Sequence, residues 1–418
     1  MWLLNTKTAR LQFFRSAELV PGGYAILSHV WGPDAEEDTF QKVQHVAKVS
    51  EGDAVCSRPG PAGRSATDFA QIVKQQQREI HQQQKAIDQL QRMFAVLSTG
   101  IEQSTSEFPT AAVINSPPSH QYENLGTSSN MFSTMSDMPR IDGDSSPIDP
   151  RDLVSTKIRN FLIEAERLGF EWAWADTCCI DKTSSAELTE AINSMFRYYT
   201  LADLCFVYLA DVRSTSTSEN SEFNDSRWHE RGWTLQELLA PKTILFVTRD
   251  WTPIGTKYEL AGALARITTI PESVLRFEKD ITEMSVGVRM SWAAQRKTTR
   301  VEDEAYSLFG IFGINMPTLY GEGRNAFYRL QEEIMRTSID TSLFMWGFPV
   351  FEGAAYFLQD MQGYPFGEYS DPTSRHLLAQ SPAEFAVAGI YHSEQRQDTI
   401  PLQYLVSMSY SIKRAIDC

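Results

Sequence analysis

Positive charge is in short supply in this 418-residue chain: 38 lysines and arginines stand against 53 aspartates and glutamates, a formal net charge of −15. A surface of that sign repels a phosphate backbone, and no local basic patch offsets it, so nucleic acid is not an expected partner. Cysteine is scarce as well. Cys56, Cys178, Cys179, Cys205 and Cys418 make five, an odd number without framework spacing. That argues against disulfides and for a reducing compartment, which places the expected location in the cytoplasm. The adjacent Cys178 and Cys179 have no C-x-x-C or His pair beside them, so they read as buried structural thiols and no metal is expected. No apolar run reaches the ~18 residues of a membrane-crossing helix, so no membrane span is expected. The opening Met-Trp-Leu-Leu-Asn-Thr-Lys has no basic region followed by an apolar core and does not read as a secretory signal.

What is present is ordinary in bulk: 42% hydrophobic and 22% charged residues, in a chain long enough for two or three domains with a sizeable core. Residues 1–46 read as folded. Tyr24-Ala-Ile-Leu-Ser-His-Val-Trp31 is a mostly apolar run entered through Pro21-Gly22-Gly23 and closed by Gly32-Pro33, the pattern of a buried strand. Residues 47–152 read as an insertion. In its Gln-rich part, Val73, Ile80, Ile87, Phe94 and Ile101 recur every seven residues, which predicts a coiled-coil-like helix over 69–101. It serves either self-association or a solvated amphipathic helix on its own domain. Residues 102–150, rich in Ser, Pro, Asn and Met, read as disordered.

From Asp152 the chain alternates helix and strand. Ile158, Phe161, Leu162, Ala165 and Leu168 form an apolar helical stripe stopped by Gly169. Trp172 to Ile180 reads as a buried strand, Leu188 to Tyr199 as a helix, Leu204 to Leu209 as a strand, and Thr243 to Thr248 as another. Such alternation over 153–250 predicts an α/β fold with a parallel sheet flanked by helices, ligands sitting beyond the carboxyl ends of the strands. Residues 251–340 read as a mainly helical extension. Their Gly321-Glu-Gly323 reads as a turn rather than a phosphate loop, since no strand precedes it. Residues 341–418 read as a C-terminal cap with some β-structure and no assignable role.

The segment Arg231-Gly-Trp-Thr-Leu-Gln-Glu-Leu238 sets Trp233 and Glu237 four positions apart, one turn along one helical face. A carboxyl beside an indole is partly desolvated, which raises its pKa and suits it to acid or base work. With Ala25-Ile-Leu-Ser-His-Val-Trp-Gly32 and Trp174-Ala-Asp-Thr-Cys-Cys-Ile-Asp-Lys182, it forms three ordered blocks that closely resemble the hallmark blocks of the fungal heterokaryon-incompatibility (HET) domain. Asp303 to Phe312, Met316-Pro317 and Tyr320-Gly-Glu-Gly323 resemble the stretch that follows this domain in many members. The resemblance covers roughly residues 1–46 and 153–340. The long insertion departs from the usual pattern. The chain shows no Gly-Lys-Ser/Thr loop and no propeller repeats, unlike the multidomain members.

The resemblance implies an effector of fungal non-self recognition and programmed cell death, acting through self-association and an incompatibility partner protein. HET domains are in turn similar to TIR domains, some of which hydrolyse NAD; that implies a TIR-like, flavodoxin-like sheet, with NAD as substrate and no cofactor. It places Glu237 at the TIR catalytic glutamate. Trp31 or Trp233 would pack on nicotinamide or adenine, Ser28, His29 and Gly32 would approach phosphate or ribose, and Asp176 and Asp181 would bond ribose hydroxyls. Each residue has a plainer reading. Glu237 alone is a surface carboxylate, the two tryptophans are core, His29 is a strand-end residue, and Asp181 is a helix cap. Asp176 in an apolar strand needs a partner, for which Arg231, itself placed among the substrate-binding residues, is the candidate. Two functions remain open: an NAD-depleting enzyme, and a death-signalling module that recruits partners without catalysis. A decayed or regulatory member is a third.

Overall fold

A computed structural model of the chain describes residues 1–33, 37–49, 149–346 and 377–386. The chain divides into two units, one of them residues 77–148. That unit, the heptad helix expected over 69–101 and most of the segment expected to be disordered lie outside the described residues. At its end the expectation of disorder gives way to a 3-10 turn, Pro150–Leu153, capped by the Asp149 carboxylate.

The other unit is built on seven strands: β1 Trp2–Asn5, β2 Leu11–Phe13, β3 Ala25–His29, β4 Trp172–Trp174, β5 Leu204–Tyr208, β6 Ile244–Val247 and β7 Pro253–Thr256. Their spatial order is β2-β1-β4-β3-β5-β6-β7. The inner four, β4-β3-β5-β6, run parallel. The outer strands β1, β2 and β7 pair antiparallel. The sheet is therefore mixed where a parallel one was expected. The edges carry weak local signals: β2 has only three residues, and β7 opens on a proline, which only an edge strand tolerates.

β3 lies at the centre, and all five of its residues are buried, as a parallel strand covered on both faces requires. Ser28 lies beside Val207 and His29 beside Tyr208 of β5. Chain order reverses across this pair, since β4 leaves β3 on one side and β5 on the other. The crevice beyond such a reversal is where open α/β sheets hold ligands.

The helices follow from capping and periodicity. They are α1 Phe40–Val49, α2 Thr156–Arg167, α3 Asp176–Cys179, α4 Ser185–Leu201 and α5 Thr234–Leu239. In α2, Ser155 accepts from the Ile158 amide, and Ile158, Phe161, Leu162 and Ala165 form the buried stripe. Gly169, at φ +95°, ends the turn where a side chain would be strained. The strand expected over 172–180 is shorter than the apolar run implied. It stops at Trp174, and Asp176 opens the helical turn α3. Hydrophobic runs do not separate a buried strand from a buried helical turn.

Beyond β7 come α6 Ala261–Thr268, α7 Glu272–Leu275, α8 Val286–Ser291, α9 Asp303–Tyr306, α10 Phe309–Phe312 and α11 Asn325–Thr337. Gly310 of α10 faces α4, and a Cβ there would meet the Phe196 Cβ at 2.0 Å. Gly310→Ala is therefore expected to destabilise the fold by about 1–3 kcal/mol, seen as a lower urea midpoint at unchanged slope. Gly321 and Gly323 form a turn whose amides both donate to Glu302 Oε1, at 2.8 and 3.1 Å, so their anion site is already filled by a carboxylate of the chain. Of residues 341–418, the described parts contain the 3-10 turns Thr341–Phe344 and Pro382–Phe385; the β-structure expected there lies outside them. Among the described residues, no helix is long and apolar enough to cross a membrane.

Candidate active site

Two of the sequence-predicted residues meet under the carboxyl end of β3. Ser28 Oγ donates to Glu237 Oε2 at 2.5 Å and accepts from the Trp228 indole at 2.8 Å. Ser28 and Trp228 are fully buried, and Glu237 is 7% exposed. The Ser28 hydroxyl has thus used its proton and one lone pair on protein partners. It holds the carboxylate rather than a ligand. Burial lifts the Glu237 carboxyl from its ordinary value to about 7. The Arg231 charge and the Ser28 and Tyr199 hydroxyls oppose that rise, and Asp176 adds to it. A carboxyl so placed exchanges a proton near neutral pH.

The indole beside this carboxylate system is Trp228, not Trp233. Trp233 stands at the N-cap of α5, and its side chain hydrogen-bonds Asp303 on the neighbouring α9. Trp233 has helical backbone angles, φ −59° and ψ −34°, so the i, i+4 spacing holds, but spacing does not say which neighbouring element the indole meets. Trp228 lies in a 3-10 turn, Arg227–Glu230, ahead of the motif, with no periodic signal to mark it. Residues 230–232 are clamped from outside. Gly232 N donates to Lys297 O and Lys297 N to Glu230 O, at 2.8 and 2.6 Å. A Cβ on Gly232 would meet Thr298 Cγ2 at 2.5 Å, which explains the glycine. Arg296 donates to Arg231 O and Thr234 Oγ1 at the start of α5.

A second group lies nearer the surface. Trp31 is 42% exposed, and its indole N–H donates to Asp176 Oδ2 at 2.8 Å. Asp176 therefore finds its partner in Trp31. Arg231, the partner expected from sequence, donates instead to the His29 carbonyl, at 2.7 Å. Burial works against ionised Asp176, but the Lys182 and Arg231 charges and the Trp31 N–H outweigh it and hold the carboxyl below its usual value. Two cations lie over the Trp31 ring, Lys182 Nζ at 3.7 Å and Arg231 Cζ at 4.9 Å from its centroid. The ring is thus engaged by the protein's own charges rather than standing open as a stacking wall.

His29 is 2% exposed, and burial pushes its imidazole down to about 3, so the ring is neutral. Both its nitrogens lack a hydrogen-bond partner among the described residues; Asp176 Oδ1 and Glu37 Oε2 stand 3.8 and 3.9 Å from Nε2. Those distances exceed a hydrogen bond. The Gly32 amide, expected to face phosphate, donates to Glu37 Oε1 at 2.6 Å, and Lys157 pairs with the same oxygen. Asp181 is the exception to the gathering. It does not cap the following helix either, which Ser184 does; it closes a turn, accepting from Thr183 N and Oγ1 and from Gln41 Nε2. Among the described residues, no group of three or more His, Cys, Asp or Glu is placed to hold a metal.

A family model described as heterokaryon incompatibility protein (HET) matches residues 119–223. The chain carries a HET domain. Over 185 residues it is 46% identical to the vegetative incompatibility protein HET-E-1 of Podospora anserina, a stretch covering 43% of this chain and 14% of that protein. The chain thus spans a small part of that relative's length. A domain of unknown function, DUF8212, matches residues 325–411. No solved structure matches. The HET match contains the Trp174–Lys182 block. The blocks that supply Ser28 and Glu237 lie outside its bounds, although the fold brings all three together.

Proposed function

We propose that this chain is an effector of non-self recognition that triggers cell death in the cytoplasm, and that it acts by TIR-like hydrolysis of NAD at the nicotinamide–ribose bond. The incompatibility role rests on the HET domain and on the likeness to HET-E-1. The chemistry rests on one observation above all: a buried carboxyl, Glu237, poised near pH 7 under the strand-order reversal between β3 and β5. The order β4-β3-β5-β6 agrees with a flavodoxin-like sheet, which binds its ligand at that place.

Cleavage breaks the bond between ribose C1′ and the nicotinamide nitrogen. Nicotinamide leaves with the bonding pair, and positive charge develops on the ribose. An ionised Glu237 stabilises that cation and takes a proton from the attacking water. Water and NAD become ADP-ribose, nicotinamide and a proton, with no cofactor. Ser28 keeps Oε2 fixed throughout, and low polarity around the carboxylate strengthens its pull on the cation.

A second reading has its own support. Glu237 is as buried as a structural carboxylate, and its hydrogen bonds are internal. On that reading the domain signals by self-association and partner recruitment, without catalysis. NAD consumption by purified protein, at high concentration to permit association, separates the two. Release of nicotinamide and ADP-ribose by the wild type and not by Glu237→Gln is the expected result. No turnover by folded, associated protein would favour the second reading. Turnover in both proteins would assign the chemistry to another carboxylate.

A further inference from the structure

The proposed hydrolytic step uses Glu237 and leaves the charges around Trp31 unexplained. Lys182 and Arg231 lie over one partly exposed indole, 3.7 and 4.9 Å from its centroid. Cation–π contact holds each there, yet the two positive charges repel, and Arg231 weakens the charged form of Lys182. Among the described residues, neither cation has a carboxylate at ion-pair distance. Asp176, which acts on both through its field, gives an oxygen to the Trp31 indole. Lys157, by contrast, is paired with Glu37 at 2.5 Å. The protein also spends structure on holding these groups in place. Asp181 closes the turn carrying Lys182 through Thr183 and ties it to Gln41 at 2.7 Å, while the His29 carbonyl fixes Arg231.

Two cations held against one ring, neither ion-paired with a carboxylate among the described residues, at the ligand end of the sheet, suit a ligand that carries more than one negative charge. We propose that Lys182 and Arg231, spaced by Trp31, bind the diphosphate of a dinucleotide. The inference deepens the NAD reading and rests on it, but its test does not require turnover. Asp181 then acts as a positioning residue for Lys182, in place of the ribose contact expected from sequence.

Calorimetric titration of the full chain with ADP-ribose, inorganic pyrophosphate and adenosine tests the clamp, for wild type, Lys182→Gln and Lys182→Arg. Lys182 is exposed, so neither variant threatens folding. ADP-ribose and pyrophosphate are expected to bind and adenosine to bind far more weakly. Lys182→Gln is expected to weaken ADP-ribose about tenfold, and Lys182→Arg to restore most of the loss. Affinity is expected to fall with added salt. ADP-ribose binding that is unchanged in Lys182→Gln, or no tighter than adenosine, would overturn the clamp; NAD turnover persisting in that case would leave the hydrolytic reading standing. Lys182-dependent binding of pyrophosphate without any NAD turnover would keep the clamp and sink the hydrolytic reading.

Discussion

Glu237→Gln is expected to lower NAD turnover by about 10²–10⁴-fold while relieving the folded protein of a cost that grows with pH. The carboxyl stands at about 7 in the fold against an ordinary value of 4.5, because burial penalises its charge. A raised carboxyl favours the folded state fully below the unfolded value and loses that benefit as pH rises through the folded value. The window therefore runs from 4.5 to about 7. At 1.36 kcal/mol per unit, the shift is worth roughly 3 kcal/mol. Glutamine has the same shape and no charge to bury, so its unfolding free energy lacks this fall. The difference between variant and wild type is expected to move in the variant's favour by roughly 3 kcal/mol between pH 4 and pH 8, measured by urea denaturation. A constant difference would show that the carboxyl titrates normally. A variant less stable at every pH, by an amount that grows as pH rises, would mark Glu237 as a structural anion. Wild-type turnover, which needs the ionised form, is expected to rise with pH through about 7.

The opposition of activity and stability at one side chain is the mark expected of a catalytic carboxyl. It also bears on Ser28. A hydroxyl that donates to Glu237 Oε2 favours the ionised form, so Ser28 and the burial of the carboxyl pull in opposite directions. The balance leaves the group near neutrality rather than locked in either state.

The parallel core was legible because its signals are local. Tyr24 to Trp31 is apolar between two turn signals, and the stripe Ile158, Phe161, Leu162 and Ala165 has helical period; both became the elements they implied. The antiparallel edges and the end of β4 were not, since strand pairing depends on partners distant in sequence. Within the site, Ser28, Asp176, Arg231 and Glu237 were marked by their blocks, but their bonds were not. No spacing rule joins Trp31 to Asp176, 145 positions away, or Trp228 to Ser28, 200 positions away. Trp233 shows the opposite failure. A helical pair was read from i and i+4, yet the fold sends that indole to Asp303. A lysine beside an aspartate has the local pattern of a solvated turn, so nothing in the sequence marks Lys182. Only the Trp31 ring beneath its ammonium separates it from one.

Lys257→Met is expected to change stability in opposite senses on the two sides of neutrality. Lys257 is 2% exposed, and its ammonium donates to Leu238 O and Pro241 O at 3.1 and 2.6 Å, at the carboxyl end of the helix that carries Glu237. Burial depresses its pKa from 10.5 to about 7. A depressed lysine gives its full stability above the unfolded value and loses it as pH falls through the folded value, so the window runs from 10.5 down to about 7. Between pH 9 and pH 7 that is roughly 3 kcal/mol at 1.36 kcal/mol per unit. Methionine fills the same slot without charge but strips both carbonyls of a donor, at about 1–3 kcal/mol each. At pH 9 the wild-type amine is neutral for most of the fold and still donates, so the variant is expected to be the less stable protein. At pH 6 the wild type carries a buried ammonium, and the gap is expected to close or reverse. A gap that is the same at both pH values would mean the ammonium keeps its ordinary value and the two carbonyls alone decide the outcome. The activity readout follows from position: with the last turn of α5 released, Glu237 loses its fixed distance from Ser28, so turnover is expected to fall even at pH 6, where stability does not.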